Sequence, residues 1–271
     1  MLFLSKKFEQ LWQGKDPFKE VLRLDGKVYR NKEGRKTFQL GIENKSYFVK
    51  VHQGIGWKEI FKNLLQFRLP IVGAGNEYVA VNKLRSLGID TLTPVAFGKQ
   101  GLNPAQQLSF LITEDLSNTI SLEDYCSNWK NKPPAYAHKK TLIELLAYIT
   151  KKMHQAGINH RDYYICHFLL EKNSINNMTS PKCYLIDLHR AQIRNKVPRR
   201  WKIKDLAGLY FSAMDIGLTK RDCYRYIRIY SGLPLKEISQ NLNFWRQVNV
   251  KALTLYQKDH GKSSHYTEWW S

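Results

Sequence analysis

Four residues suited to handling protons, cations and phosphate-like anions are spread through the 271-residue chain: Lys50, Glu77, Asp162 and Asp187. Lys50 ends the run Tyr47-Phe48-Val49-Lys50, where a strand would hold an ammonium in a fixed direction. Asp162 stands in His160-Arg161-Asp162, just past a predicted helix that Gly157 closes, and a carboxylate in such a loop can accept the proton of a hydroxyl. Asp187 lies 25 residues beyond Asp162 and closes the apolar run Cys183-Tyr184-Leu185-Ile186. A charge is costly to bury there without a task, and its hard oxygens suit Mg²⁺. Glu77 opens a predicted helix, where the helix dipole favours a carboxylate and where it could hold Lys50.

These side chains need a scaffold. Val21–Arg30, Lys36–Ile42 and Tyr47–Val51 read as strands separated by turn residues, and Thr93–Gly98 and Ser109–Glu114 as two more, about five in all. Asn76–Leu87 reads as a helix with Asn76 as N-cap and Gly88 as terminator. Trp57–Leu69 reads as an amphipathic helix with Trp57, Ile60, Phe61, Leu64 and Leu65 on one face and Lys58, Lys62 and Arg68 elsewhere. It suits either a helix packed on the first lobe or an interfacial helix on anionic lipid. After Leu116 the pattern turns helical. Thr141–Ala156, Asp205–Asp215, Lys220–Tyr230 and Leu235–Gln257 read as helices, and Phe168–Leu170 and Cys183–Ile186 as short strands. The expected class is α+β and bilobal: a β-rich lobe over residues 1–116 and a mainly helical lobe over 117–271, with a ligand cleft between them.

The 43 Lys and Arg against 23 Asp and Glu give a net charge of +20, which attracts polyanions without choosing among them. Arg190, Arg194, Lys196, Arg199, Arg200, Lys202 and Lys204 form a run without one acidic residue, readable as a solvated face, a nucleic-acid patch or an anion-binding segment. The four cysteines show no C-x-x-C spacing, so no zinc or redox motif follows. With no apolar run long enough for a signal peptide or a spanning helix, a cytoplasmic chain is expected, with peripheral membrane contact at most.

In order and approximate spacing, Lys50, Glu77, Asp162 and Asp187 resemble the protein-kinase set of strand lysine, helix glutamate, catalytic-loop aspartate and metal-binding aspartate. The likeness narrows further. His160-Arg161-Asp162-Tyr163-Tyr164-Ile165-Cys166-His167-Phe168-Leu169-Leu170 and Ile186-Asp187-Leu188-His189-Arg190-Ala191-Gln192 are similar to signatures of the lipopolysaccharide core heptose(I) kinases. So are Gly26 to Arg30, Ile60 to Leu69, Ile112 to Leu116, Arg199-Arg200-Trp201 and Lys204-Asp205-Leu206, over about Leu11 to Tyr256.

That resemblance implies a protein-kinase-like enzyme of Gram-negative bacteria. It would transfer the γ-phosphate of ATP to O4 of the first inner-core heptose at the cytoplasmic face of the inner membrane. Asp162 would be the base and Asp187 the Mg²⁺ ligand, while Lys50, Glu77, Glu114, Leu116, Arg35 and Lys36 would serve the nucleotide. Arg161, Arg190, Arg194, Arg199 and Arg200 would hold the anionic lipopolysaccharide acceptor. His160 would pack and hydrogen-bond, and Asp205 would either cap a helix or brace the catalytic loop. Acyl carrier protein is a further implied partner and nucleic acid is not.

Two departures from protein kinases stand out. His167 occupies the place of a metal-binding Asn, and neutral imidazole is a poor Mg²⁺ ligand, so it is the weaker metal candidate. Asn31 to Thr37 holds one glycine where a Gly-rich loop would hold three, leaving Arg35 or Lys36 to supply charge. Kdo, another sugar or a protein tyrosine as acceptor, and a pseudokinase binding module, are the competing readings. Retention of Lys50, Asp162 and Asp187 together speaks against the last.

Overall fold

The computed structural model describes residues 1–32, 34–65, 73–175 and 180–262, with the side chains of 63, 64 and 241 left aside. The described residues form two compact units. One comprises Met1–Arg85, Thr91–Ser117 and Leu188–Arg190; the other comprises Ser86–Asp90, Asn118–Asp187 and Ala191–Ser271.

The first unit is built on a six-stranded antiparallel sheet. Its elements in chain order are β1 (Leu2–Leu4), α1 (Lys6–Leu11), α2 (Pro17–Arg23), β2 (Lys27–Lys32), β3 (Arg35–Ile42), β4 (Lys45–Gln53), α3 (Gly56–Leu65), α4 (Gly75–Ser86), β5 (Pro94–Gln100) and β6 (Leu108–Glu114). The strand order is β1-β5-β6-β4-β3-β2. Strand alternation sorts the two faces. Tyr47, Val49 and Val51 of β4 join Phe38, Phe110 and Ile112 in a core closed by Phe8, Trp12 and Val21 from the first two helices and the turn between them. Lys50 and His52 therefore project from the opposite face. On that face Ala74 and Tyr78, at the start of α4, pack on Phe97 and Leu111.

Several expectations need correction here. The strand expected over Val21–Arg30 is α2 followed by β2, because Asp16 caps a helix: its Oδ1 accepts the Phe18 N–H at 2.9 Å and Pro17 opens the first turn. Asn76 is not an N-cap, since α4 begins one residue earlier and the Asn76 side chain donates to the His189 carbonyl at 2.9 Å. β1 was not foreseen, and it adds a sixth strand beside β5. Of the helix expected over Trp57–Leu69, the segment to Leu65 forms α3; residues 66–69 and the Leu64 side chain lie outside the described residues.

The second unit is mainly helical. Its elements are β7 (Thr119–Ser121), α5 (Leu122–Cys126), α6 (Tyr136–Gln155), β8 (Ile158–Asn159), β9 (Phe168–Glu171), α7 (Lys172–Ile175), β10 (Cys183–Leu185), β11 (Gln192–Ile193), α8 (Arg199–Ser212), α9 (Lys220–Ser231), α10 (Leu235–Ile238) and α11 (Leu242–His260). Two small antiparallel pieces, β10-β9-β7 and β11-β8, carry the loops of chemical interest. α6 packs on α9 and α8 on α11, and α8, α9 and α11 share a core that includes Leu206, Tyr210, Ile227 and Trp245. Among them lies an apolar cavity of about 100 Å³, lined by Leu122, Trp129, Leu146, Leu209, Tyr226 and Trp245 among others.

The helix expected to start at Asp205 starts at Arg199, after Pro198, so Asp205 sits in mid-helix and caps nothing. The single helix expected over Leu235–Gln257 is broken by a 3-10 turn at Ser239–Asn241. A β-rich unit and a helical one make the α+β class expected.

Candidate active site

In the first unit, β4 and α4 bring Lys50 and Glu77 together. Lys50 Nζ lies 2.6 Å from Glu77 Oε1, and the Glu77 side chain is buried. A buried carboxylate needs such a partner, and the pair fixes where the ammonium points. The β3–β4 register sets Thr37 opposite Lys50 and Arg35 opposite His52, so Arg35, Lys50 and His52 share one face. Lys36 points to the other face, where its Nζ meets Asp25 Oδ1 at 3.0 Å and lies over the Phe38 ring. Burial holds the His52 imidazole down at about 4, helped by the cations of Arg35 and Lys50, His189 and Arg30. Sequence reading passed over His52, although the Lys50-x-His52 alternation on a strand would have placed it beside the lysine. Glu114 ends β6 opposite Tyr47, two residues before Leu116. Arg190 belongs to this unit as well.

In the second unit, α8 carries the organising group. Asp205 is wholly buried; its Oδ2 accepts the His160 backbone N–H at 2.7 Å, and its Oδ1 accepts that of Arg161 at 2.8 Å. His154 Nε2 donates to the same Oδ2 at 3.3 Å while its Nδ1 meets the Tyr230 hydroxyl at 2.9 Å. Both oxygens are thereby spent on the loop before Asp162, so Asp205 acts as a brace. His154 was also missed, because a histidine on a helical apolar stripe gives no sign of its partner.

The His160 ring is buried, which lowers its proton affinity and keeps it neutral. Its Nε2–H donates to the Ile186 carbonyl at 2.9 Å, and Ile186 N–H donates to the His167 carbonyl at 2.9 Å. These two bonds tie the Asp162 loop to the residue preceding Asp187.

His167 differs. Burial opposes its charge, but hydrogen bonds to Cys166 and the Asp162 carbonyl, together with Asp187, push it up to about 9. It is therefore an imidazolium at neutral pH. Nδ1–H donates to the Asp162 carbonyl at 2.7 Å and Nε2 faces Asp187 Oδ2 at 3.4 Å. With both nitrogens turned to protein oxygens, the ring can steer Asp187 and has no lone pair left for a metal. Arg161 and Asp187 both hold positive φ, 77° and 62°, a conformation that strains residues with a Cβ.

The arginines separate by environment. The Arg161 guanidinium lies 4.9 Å and that of Arg200 5.2 Å from the centre of the Trp201 indole, with Lys204 Nζ at 5.6 Å. Arg199 lies over Phe244. Arg194 is spent on the β8–β11 ribbon, donating to Asn159 Oδ1 and Gln192 Oε1, each at 2.6 Å.

Among the described residues no group of three or more His, Cys, Asp or Glu encloses a metal position. Mg²⁺ needs no such cage, because it keeps waters and takes phosphate oxygens beside one or two carboxylates. Asp187 is a donor of that kind.

Residues 19–230 match the model of the lipopolysaccharide kinase (Kdo/WaaP) family. The lipopolysaccharide core heptose(I) kinase WaaP of Escherichia coli is 49% identical over 264 residues, 97% of this chain and 100% of that protein. The enzyme of the same name from Pseudomonas aeruginosa is 47% identical over 260 residues, 95% of this chain and 96% of that one. Among solved structures, WaaP in complex with acyl carrier protein superposes with a TM-score of 0.83 at 42% identity, covering 94% of this chain and 99% of that chain. The β-rich and helical units are thus those of a protein-kinase-like fold. The chain belongs to the lipopolysaccharide kinase (Kdo/WaaP) family, and it is a phosphotransferase with an alcohol group as acceptor.

Proposed function

We propose that the chain transfers the γ-phosphate of ATP to the O4 hydroxyl of the first inner-core heptose of lipopolysaccharide, at the cytoplasmic face of the inner membrane. The observation that carries this is the Asp205 carboxylate holding the backbone N–H groups of His160 and Arg161, which presets the loop bearing Asp162. Identity near one half to heptose(I) kinases supports the acceptor.

In this reading Lys50, held by Glu77, neutralises the α- and β-phosphates, and Arg35 adds charge from the same sheet face. Lys36, turned toward Asp25, does not. Glu114 and Leu116 line the nucleotide's place. Asp162 takes the proton of the attacking hydroxyl. Bound Mg²⁺ would offset the charge on the phosphates, with Asp187 as its protein ligand and the His167 imidazolium aligning that carboxylate. Arg161, Arg199 and Arg200, set on aromatic rings, and Arg190 grip anionic groups of the acceptor. Arg194 serves the loop's own geometry.

An acyl carrier protein partner is supported by the solved relative bound to one and by the apolar cavity among α6, α8, α9 and α11, a lining that suits a hydrocarbon chain. A net charge of +20 suits an acidic carrier.

The test is transfer of radiolabel from [γ-³²P]ATP to core saccharides with and without the first heptose, using the wild type and Asp162→Asn. Labelling that requires the heptose, with kcat down by about 10²–10⁴ in the variant, is expected. Equal labelling of the heptose-free acceptor, or near wild-type turnover by the variant, refutes the proposal.

A further inference from the structure

α3 is an amphipathic helix turned largely the wrong way for a packed element. Of the described apolar residues on its face, only Ile60 is buried, whereas Trp57, Phe61 and Leu65 are 50%, 58% and 81% exposed. Spaced four residues apart, these three form a stripe along successive turns, and the Trp57 and Phe61 rings lie 5.8 Å apart. Burying what remains exposed of each side chain would gain on the order of 1 kcal/mol or more.

The stripe has neighbours of matching character. Gly56 N–H at the root of α3 donates to the Ala105 carbonyl, in the β5–β6 loop whose Leu102 is fully exposed at 101%. Lys58 and Lys62 are exposed as well, about 100° and 140° around the helix from Trp57, so they border the stripe on the Leu65 side. The acidic residue of the described helix, Glu59, points away at about 200° and is paired with Lys62 at 3.2 Å.

We propose that the exposed face of α3 is the surface by which this kinase sits on an anionic lipid bilayer. Trp57, Phe61 and Leu65 enter the boundary between headgroups and acyl chains while Lys58 and Lys62 meet lipid phosphates. A tryptophan and a phenylalanine flanked by lysines match what an interfacial helix presents to such a boundary. The family's substrate, a lipopolysaccharide, is itself anchored by acyl chains. No described helix is long and apolar enough to cross a membrane, so attachment through this helix would be peripheral. The inference rests on the lipopolysaccharide-kinase reading above and names the surface that reading needs.

The full-length protein would be sedimented with vesicles of phosphatidylethanolamine and phosphatidylglycerol, and with vesicles of phosphatidylcholine alone. The variants are Phe61→Ser/Leu65→Ser and Lys58→Glu/Lys62→Glu. Because these side chains are exposed, melting curves should match the wild type and exclude misfolding. Wild-type binding to the anionic vesicles, weakened about tenfold or more in each variant, is expected. Phosphorylation of lipopolysaccharide embedded in the vesicles should fall with it, while phosphorylation of a delipidated, soluble core saccharide stays unchanged. Failure of the wild type to bind anionic vesicles, or equal binding by the variants, overturns the proposal. So does retained vesicle binding with loss of acyl carrier protein binding, which would make the face a protein-docking site. Absence of activity on the soluble saccharide in the wild type would instead refute the kinase reading, leaving vesicle binding to be judged by itself.

Discussion

The Oδ1 of Asp205 accepts the backbone N–H of Arg161 at 2.8 Å, so a carboxylate in the middle of α8 sets the conformation of the residue before Asp162. Asp205→Ala would strand the buried His160 N–H, the half-buried Arg161 N–H and the His154 ring. The expected loss in urea unfolding is about 1–3 kcal/mol for each donor left without its acceptor. Asp205→Asn keeps one acceptor oxygen and should cost less stability, yet lower kcat more than KM for ATP, since the loop rather than the nucleotide site is disturbed. Equal stability of wild type and Asp205→Ala would show that the brace carries no weight.

Removing Lys50 alone should destabilise the first unit by about 3–5 kcal/mol, since the buried Glu77 carboxyl would be left without its partner. The double variant Lys50→Met/Glu77→Leu should regain much of that stability while remaining inactive. Thermal melts paired with a kinase assay separate the two effects. Recovery of activity along with stability would mean that Lys50 serves the fold only.

His52 makes stability depend on acidity. Its folded pKa of about 4 lies below the 6.5 ordinary for a histidine, so between these limits the unfolded chain binds the extra proton. Stability therefore rises with pH across that window and falls as pH drops from 6.5 toward 4, by on the order of 3 kcal/mol in full. Melting temperatures measured across this range should fall less steeply for His52→Gln than for the wild type. Parallel curves would contradict the assignment.

Gly157 holds φ at 79°, and a Cβ added there would fall 1.7 Å from the Arg194 carbonyl oxygen, which belongs to backbone. Gly157→Ala should cost at least about 2 kcal/mol and loosen the β8–β11 ribbon that precedes His160. Loss of amide protection in Ile158 and Arg194 by hydrogen exchange is the measurement; unchanged protection would rule it out.

Much of the scaffold was readable from local pattern. β4 shows period-two burial, β5 and β6 show continuous buried runs, β3 has Phe38, Leu40 and Ile42 at alternate positions, and α6 carries a helical stripe closed by Gly157. The elements misread are those where local signals conflict or are too short. Val21, Leu22 and Leu24 beside Val28 and Tyr29 suggested one strand, and this hid the Asp16-Pro17 helix start. β1 spans three residues, too few to show a period. The basic run Arg199–Lys204 looks like loop, so Asp205 seemed to begin a helix that starts a turn and a half earlier.

The chemical side chains were legible as types and spacings, while their states were not. Nothing local to His167 and His160 says that one ring is held charged and the other neutral. That difference comes from hydrogen bonds to Cys166 and the Asp162 carbonyl, with Asp187, in one case, and in the other from burial that outweighs the bond to the Ile186 carbonyl. Arg194 looked like one more anion-binding arginine until Asn159 and Gln192 were found at its fork.

The left-handed backbone at Arg161 has a consequence for engineering. Arg161→Gly would relieve about 1–2 kcal/mol of conformational strain, so a screen for heat resistance alone would tend to select it. It would also remove the guanidinium that lies 4.9 Å from the centre of the Trp201 ring and widen the backbone freedom of the loop before Asp162. In the mechanism proposed above that freedom misplaces Asp162, so a gain in heat resistance at this position would come with slower turnover.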